Sequence, residues 1–273
     1  MNKRMIALRA LMGMTVIATV INGCRRTDDL EDLLSGQDNA LSEQGLMDMQ
    51  DMADEAAKGN LSSFKTSADF AIVSDCAVIT HDTVSDPRVL TIDFGTGCVG
   101  NDGRTRSGKV IVTYTGPYAE PGHLHTITTD NYFVNGNQIL GTKTVMNEGL
   151  NDNGNIWFTV TIDAQIIKED GTTIDWDGNR TREWVGGYST PERSDDVYLI
   201  SGTHSGQSSD GRSFTAQTLE PIRKDRTCSW ITDGVLEVTP NSRPTRTIDF
   251  GDGTCDDDAT VTVNGNSHAI NLH

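Results

Sequence analysis

An all-β fold built as an antiparallel meander, with one amphipathic helix ahead of it, is predicted by three features of this 273-residue chain. Short runs rich in β-branched and aromatic residues recur from Phe70 to the C-terminus, and turn signals separate them. No helical periodicity of useful length interrupts the series, which excludes parallel βαβ topology, because parallel strands need crossovers of about a dozen residues or more. About a dozen strands are expected, arranged as a sandwich, an open barrel or a long curved sheet.

The chain opens with Met1-Asn2-Lys3-Arg4, continues through a mostly apolar stretch from Met5 to Ile21 whose only charge is Arg9, and reaches Asn22-Gly23-Cys24. A charged start, an apolar middle and a small residue before a cut site mark an export signal. The apolar run falls short of the roughly 20 residues a membrane span needs. Ile21-Asn22-Gly23-Cys24 resembles the lipobox of bacterial lipoproteins, with Asn22 in place of the usual small residue. That resemblance implies a signal peptide over 1–23, cleavage before Cys24 and lipidation of Cys24. Several acyl chains at on the order of 0.8 kcal/mol per buried methylene hold a body firmly to a membrane.

Residues 24–37 are expected to be a linker; they begin Cys24-Arg25-Arg26-Thr27-Asp28-Asp29 and contain Gly36. The basic-then-acidic start resembles surface-export signals of Bacteroidota lipoproteins, so an outer-membrane position is expected, surface-exposed or periplasm-facing. From 38 to 59 a helix is predicted, with Asp38 as N-cap, Gly59 past the end, and Leu41, Gly45, Met49, Met52, Ala53 and Ala56 at three- and four-residue steps. Its methionine stripe is expected to pack on the body.

The body is expected over 60–273. Val110–Tyr114, Ile156–Ile162, Val197–Ile200 and Val261–Val263 read as strands. Asn135-Gly136, Asp152-Asn153-Gly154, Asp170-Gly171, Asp177-Gly178, Asp210-Gly211 and Asn264-Gly265 read as turns.

With Cys24 lipidated, Cys76, Cys98, Cys228 and Cys255 remain, and an oxidising compartment favours their pairing. A repeat narrows the pairing. Thr91-Ile92-Asp93-Phe94-Gly95-Thr96-Gly97-Cys98 recurs as Thr247-Ile248-Asp249-Phe250-Gly251-Asp252-Gly253-Thr254-Cys255, and a cysteine precedes a turn signal in both copies, Ser85-Asp86-Pro87-Arg88 and Pro240-Asn241-Ser242-Arg243. Each unit therefore reads as a hairpin with its cysteines equidistant from the turn, which predicts Cys76 with Cys98 and Cys228 with Cys255. No C-x-x-C spacing supports thiolate ligation of a metal instead.

The two T-I-D-F-G-x-G motifs followed by cysteine, Gly108–Gly116, Asn131–Gly136 and Thr181-Arg182-Glu183-Trp184 together resemble an uncharacterised family of Bacteroidota cell-envelope lipoproteins. The likeness covers most of 70–272 and implies no activity.

Removing 1–23 takes away Lys3, Arg4 and Arg9 and no acid, so the formal charge moves from −17 to −20. Nucleic acid is excluded as a partner, because affinity for it comes from Lys and Arg neutralising phosphates. The candidate chemistry is sparse. Asp249-Phe250-Gly251-Asp252-Gly253 resembles a PKD-module signature, but the first copy has Thr96 where the second Asp would stand. Asp252, Asp256, Asp257 and Asp258 match no calcium loop, and Asp175–Asn179 lacks EF-hand positions. His123 and His125 would share a strand face, with His81 or His204 as further donors to a metal, although surface histidines are the expected role. Asp93 and Asp249 could form a carboxylate pair for glycoside hydrolysis, but their place in a repeat points to bonding turn amides. Trp157, Trp176, Trp184 and Tyr188 would stack on sugars if exposed and coplanar, and pack in the core otherwise.

No nucleophile elbow, zincin motif or phosphate loop occurs. The expectation is a non-catalytic binding or structural lipoprotein, held to the membrane by lipid on Cys24, needing no cofactor, with a glycan or an envelope protein as partner. A carbohydrate-active enzyme or glycan-binding accessory protein is the alternative.

Overall fold

The computed structural model describes residues 22–58, 76–100, 102–190 and 194–272, and within the helix it describes the side chains of 33–54. Helix α1 covers Asn22–Lys58. The strands are β1 Val78–Asp82, β2 Arg88–Asp93, β3 Cys98–Val99, β4 Thr105–Tyr114, β5 Leu124–Val134, β6 Asn137–Leu150, β7 Ile156–Ile167, β8 Thr173–Gly186, β9 Val197–Gln207, β10 Ser213–Asp225, β11 Asp233–Pro240, β12 Arg246–Asp252, β13 Asp258–Val263 and β14 Asn266–Asn271. They form one 14-stranded antiparallel sheet in chain order from β1 to β14, with β3 set aside against β4. The meander is an open curved sheet, not a sandwich, and β1 and β14 are its edges.

Turn chemistry accounts for this regularity. Asn135-Gly136 joins β5 to β6 and Asn264-Gly265 joins β13 to β14, and all four residues have positive φ. That is the type I′ geometry whose twist matches antiparallel strands, and asparagine and glycine adopt it at least cost. One predicted turn is not a turn. Asp177-Gly178 lies inside β8, where the Trp176 indole occupies the space a side chain at 178 would need, 2.2 Å from the position of its Cβ. Glycine serves close packing there.

The sheet curls around α1. The helix meets β2, β4, β5, β8 and each of β11 to β14, so no side of it is left to solvent along its middle. Leu46, Met49, Met52 and Ala53 are buried as the methionine stripe predicts, but Asn39, Ser42, Glu43, Asp48 and Asp51 on other faces are buried as completely. A helix about 10 Å across fills the middle of a strongly curved sheet that strand side chains alone would leave open. Close approach is set by small residues: Gly36 lies against Val261 and Gly45 against Ile139.

Three expectations about the N-terminal region change. The stretch 24–37, expected as a linker, is helical, and Ser35 and Gly36 already lie inside the sheet, because Arg246 and Val261 receive them. Asp38 is not an N-cap; it sits within α1, where its carboxylate accepts bonds from Lys168 and Ser209. Along the middle of its described side chains the helix has no wet face opposite the apolar stripe, since Asn39, Ser42, Glu43, Asp48, Asp51 and Asp54 are buried. The signal peptide predicted over 1–23 falls almost wholly outside the described residues, as do 60–75 of the predicted body.

Both disulfides join the predicted partners, Cys76 to Cys98 and Cys228 to Cys255, each with a Cα separation of 5.6 Å. They flank the hairpins β1–β2 and β11–β12, with Ile92, Phe94, Ile248 and Phe250 of the repeat pointing into the core.

Because α1 is the centre of the core, a chain starting at residue 60 should not fold. Circular dichroism and proteolysis of 60–273 should show an unstructured or aggregating product, and adding a peptide spanning 22–58 should restore protease resistance. A folded 60–273 would contradict the helix as core.

Candidate functional site

The densest concentration of chemistry in the protein is the seam between α1 and the inner face of the sheet. It follows from one departure from ordinary strand patterning. In β8, Ile174, Trp176, Gly178, Arg180, Arg182 and Trp184 alternate onto the buried face, so two arginines continue an apolar series. Arg104 and Arg106 before and in β4, and Lys224 and Arg226 at the end of β10, repeat the device. The helix meets these cations with acids.

Asp48 is the most heavily bonded. Its carboxylate accepts from Arg104 Nη1 at 2.8 Å, Arg106 Nη2 at 2.6 Å, Arg106 Nε at 3.0 Å and Tyr132 Oη at 3.0 Å. Asp102 holds the outer side of Arg106, also at 2.6 Å. Burial alone would push the Asp48 carboxyl up, but the two guanidiniums and the tyrosine hydroxyl outweigh it and hold it at about 2. Asp51 pairs with Arg226 at 2.6 Å and Lys224 at 3.2 Å, and Asp54 with Arg182 at 2.5 Å. Arg182 also lies 3.6 Å from the centre of the Tyr198 ring, a cation–π contact in a buried site.

Nearer the start of the helix, Glu43 accepts from Arg180. Arg180 also contacts His204 Nδ1 at 2.8 Å, while His204 Nε2 faces Asn39 Oδ1 at 3.0 Å. Those partners fix the neutral tautomer with its proton on Nε2. Burial and the adjacent Arg180 charge hold His204 down at about 2. Lys143 is buried with its ammonium on Leu46 O at 3.2 Å, and burial lowers it to about 7. Gln44 ties the helix to the backbone of the segment after Cys228, donating to Ser229 O at 3.0 Å and accepting from Ile231 N at 3.2 Å.

At the far end, His81, Tyr114, His125, Tyr118 and Phe158 form a ring series with neighbouring centroids 4.6 to 5.7 Å apart. His125 is therefore core, with burial lowering it to about 4, and His123 sits outside near Glu120 and Thr115. His123 and His125 are not a metal pair, and His204 belongs to the Arg180 network. Among the described residues, no cluster of three or more His, Cys, Asp or Glu is placed to hold a metal ion.

The outer face has the opposite character. Following strand register, Thr113, Thr126, Thr144, Thr161, Asn179, Thr203, Gln217, Glu237, Thr247, Thr262 and Ser267 stand side by side from β4 to β14. Neighbours in this row bond one another, as Gln217 does to Glu237 at 2.9 Å and Thr262 to Ser267 at 2.8 Å. Across β8 to β11 the outer face is concave, forming a groove of about 520 Å³ lined by Asp177, Asn179, Thr203, Ser205, Gln217 and Glu237 among others.

The remaining predicted residues are placed as follows. Cys24 lies within α1. Asp93 and Asp249 each accept from the backbone amide two residues on, Gly95 N in the turn after β2 at 2.8 Å and Gly251 N near the end of β12 at 3.0 Å, so the repeat does a structural job twice. Asp252 and Asp256 likewise bond the backbone amides of Thr254 and Asp258. Trp176 and Trp184 are buried, Trp157 is half-buried and Tyr188 is exposed, so the four form no coplanar exposed face. No protein-family model matches this sequence, and no match is found among curated proteins or solved structures.

Two outcomes follow from the seam. Asp48→Ala leaves Arg104 and Arg106 buried without their shared acid and should cost about 3 to 5 kcal/mol in urea unfolding. Stability should also fall as pH drops below 6.5. His125 and His204 are neutral when folded and take up protons on unfolding, so below 6.5 the unfolded chain binds more protons until the folded-state values are reached. His125 alone contributes about 3 kcal/mol of this loss by pH 4, and unfolding midpoints of His125→Phe should show a shallower acid dependence.

Proposed function

We propose that this protein is an envelope lipoprotein, tethered by lipid on Cys24, with a non-catalytic scaffolding or binding role on the outside of its sheet. The observation that carries this is the continuity of α1. The helix that contains Cys24 is the same helix that the sheet encloses and that Asp48, Asp51 and Asp54 clamp. Anchor and core are therefore one element, and a load on the tether passes directly into buried ion pairs. An interior filled by α1 directs ligands to the outer face.

A glycan is the second ligand class supported, by the outer groove. Its hydroxyls, carboxamides and carboxylates can donate and accept in rows about 4.8 Å apart, the strand spacing, which suits a polyhydroxylated chain. Without stacked tryptophans such binding rests on hydrogen bonds alone.

Cell fractionation tests the tether. Cys24→Ala should lose fatty-acid label and move from the membrane to the soluble fraction; retention of label or of membrane association by this variant overturns the anchor. For the groove, the chain from residue 24 bearing Cys24→Ser is titrated with envelope polysaccharides, and Asn179→Ala with Gln217→Ala should abolish any rise in melting temperature. No rise with any glycan would leave a protein partner as the occupant of that face.

A further inference from the structure

We infer that the seam between α1 and the sheet contains a binding site for one monovalent anion of halide size, bounded by Arg180, Arg182 and Lys143. Three observations lead there. First, a cavity of about 30 Å³ lies between the helix and β6 to β10, lined by those bases together with Lys224, Trp176 and Gln50. That volume suits one or two waters or a single monatomic ion, and it is too small for a phosphate or a carboxylate ligand.

Second, the donors around it outnumber the acceptors. Arg180 Nε, Arg180 Nη1, Arg182 Nε and Trp176 Nε1 are buried without a hydrogen-bond acceptor, while Gln50 Oε1 is the one unpartnered acceptor among the described side chains that line the cavity. Arg180 and Arg182 expose only 2% and 3% of their side chains. A water that accepted from these groups would need acceptors for its own two hydrogens. An anion accepts from several donors and requires nothing in return.

Third, the charges do not balance locally. Lys143, Arg180, Arg182 and Lys224 line the cavity, against Glu43 and Asp51. Adding Asp54, which pairs with Arg182, and Arg226, which pairs with Asp51, leaves two more bases than acids with Lys143 protonated and one more with Lys143, which burial lowers to about 7, neutral. Arginine cannot shed its proton, and a buried unbalanced cation is costly. An anion here removes one charge of that excess and supplies the missing acceptor. It would also bridge Lys143 of β6 to the arginines of β8 across the intervening β7.

The test uses the chain from residue 24 with Cys24→Ser, melted in sodium gluconate, chloride or bromide at equal ionic strength. Chloride and bromide should raise the midpoint saturably, by roughly several degrees at high occupancy, and gluconate should not. Arg180→Gln should remove the halide response. Since that variant could also fail to fold, crystals grown in bromide give an independent reading: an anomalous peak within hydrogen-bonding distance of Arg180 Nε and Arg182 Nε is expected. Equal midpoints in all three salts overturn the site, as does bromide signal at the surface only with water in the cavity.

Discussion

Among the described residues, eight buried lysines and arginines on the inner side of the sheet dictate how this protein is put together. A buried cation is costly unless acceptors, best of all a carboxylate, lie at hydrogen-bonding distance, and from the strand side Asp102 meets Arg106 with an acid. Helix α1 supplies further carboxylates, at Glu43, Asp48, Asp51 and Asp54, each at the height of a basic side chain. Hydrophobic contacts through Leu46, Met49 and Met52 contribute burial, but they are non-directional and would tolerate rotation of the helix. The ion pairs do not. A rotation that kept the methionines buried would leave Asp48 opposite the wrong strand.

The meander complements this arrangement. Apart from β3, each strand pairs with the next in the chain, so the sheet needs only short connections to form, and curvature brings strands distant in sequence onto one helix. Arg104 and Trp230 meet above Asp48 in this way, with the guanidinium 4.2 Å from the indole ring. The disulfides add constraint where the meander is weakest. Cys76–Cys98 ties down the edge strand β1, and Cys228–Cys255 braces the segment from which Ser229 and Ile231 bond Gln44. Each closes a loop whose restraint of the unfolded chain contributes about 3 to 4 kcal/mol.

How far this was legible in the sequence depends on the range of the forces involved. Hairpin turns are local, so Asn135-Gly136 and Asn264-Gly265 announce themselves, as do the repeated cysteine hairpins. Asp93 and Asp249 are equally local, each bonding an amide two residues on. The seam is not local. Asp48 meets residues 56 and 58 positions away and Asp54 meets one 128 away, and no pattern near either acid records those partners. An acidic helix with a methionine stripe therefore looks amphipathic until something basic surrounds it. One signal was present: Arg180 and Arg182 hold the same alternating phase as Ile174, Trp176 and Trp184, which places bases on a buried face. Asp177-Gly178 misled for a related reason, because a turn dipeptide also suits a strand whose neighbouring indole needs the room.

The partition of polarity also bears on what the surface can bind. Among the described residues the buried bases are nearly matched by buried acids, Asp38, Glu43, Asp48, Asp51, Asp54 and Asp196, so the acidic net charge of −17 resides on the solvent-facing surface. Polyanions are disfavoured there by repulsion, whatever their chemistry. What the outer face offers instead is rows of threonine hydroxyls and carboxamides that already bond their neighbours, as Gln217 bonds Glu237. A ligand must exchange those bonds for its own, which favours neutral, multiply hydroxylated partners that can both donate and accept along a row. The inner face selects for the reverse, an acidic occupant with fixed geometry, and α1 fills that role. The two faces of one sheet thus separate the groups that keep the protein folded from the groups that a partner can reach.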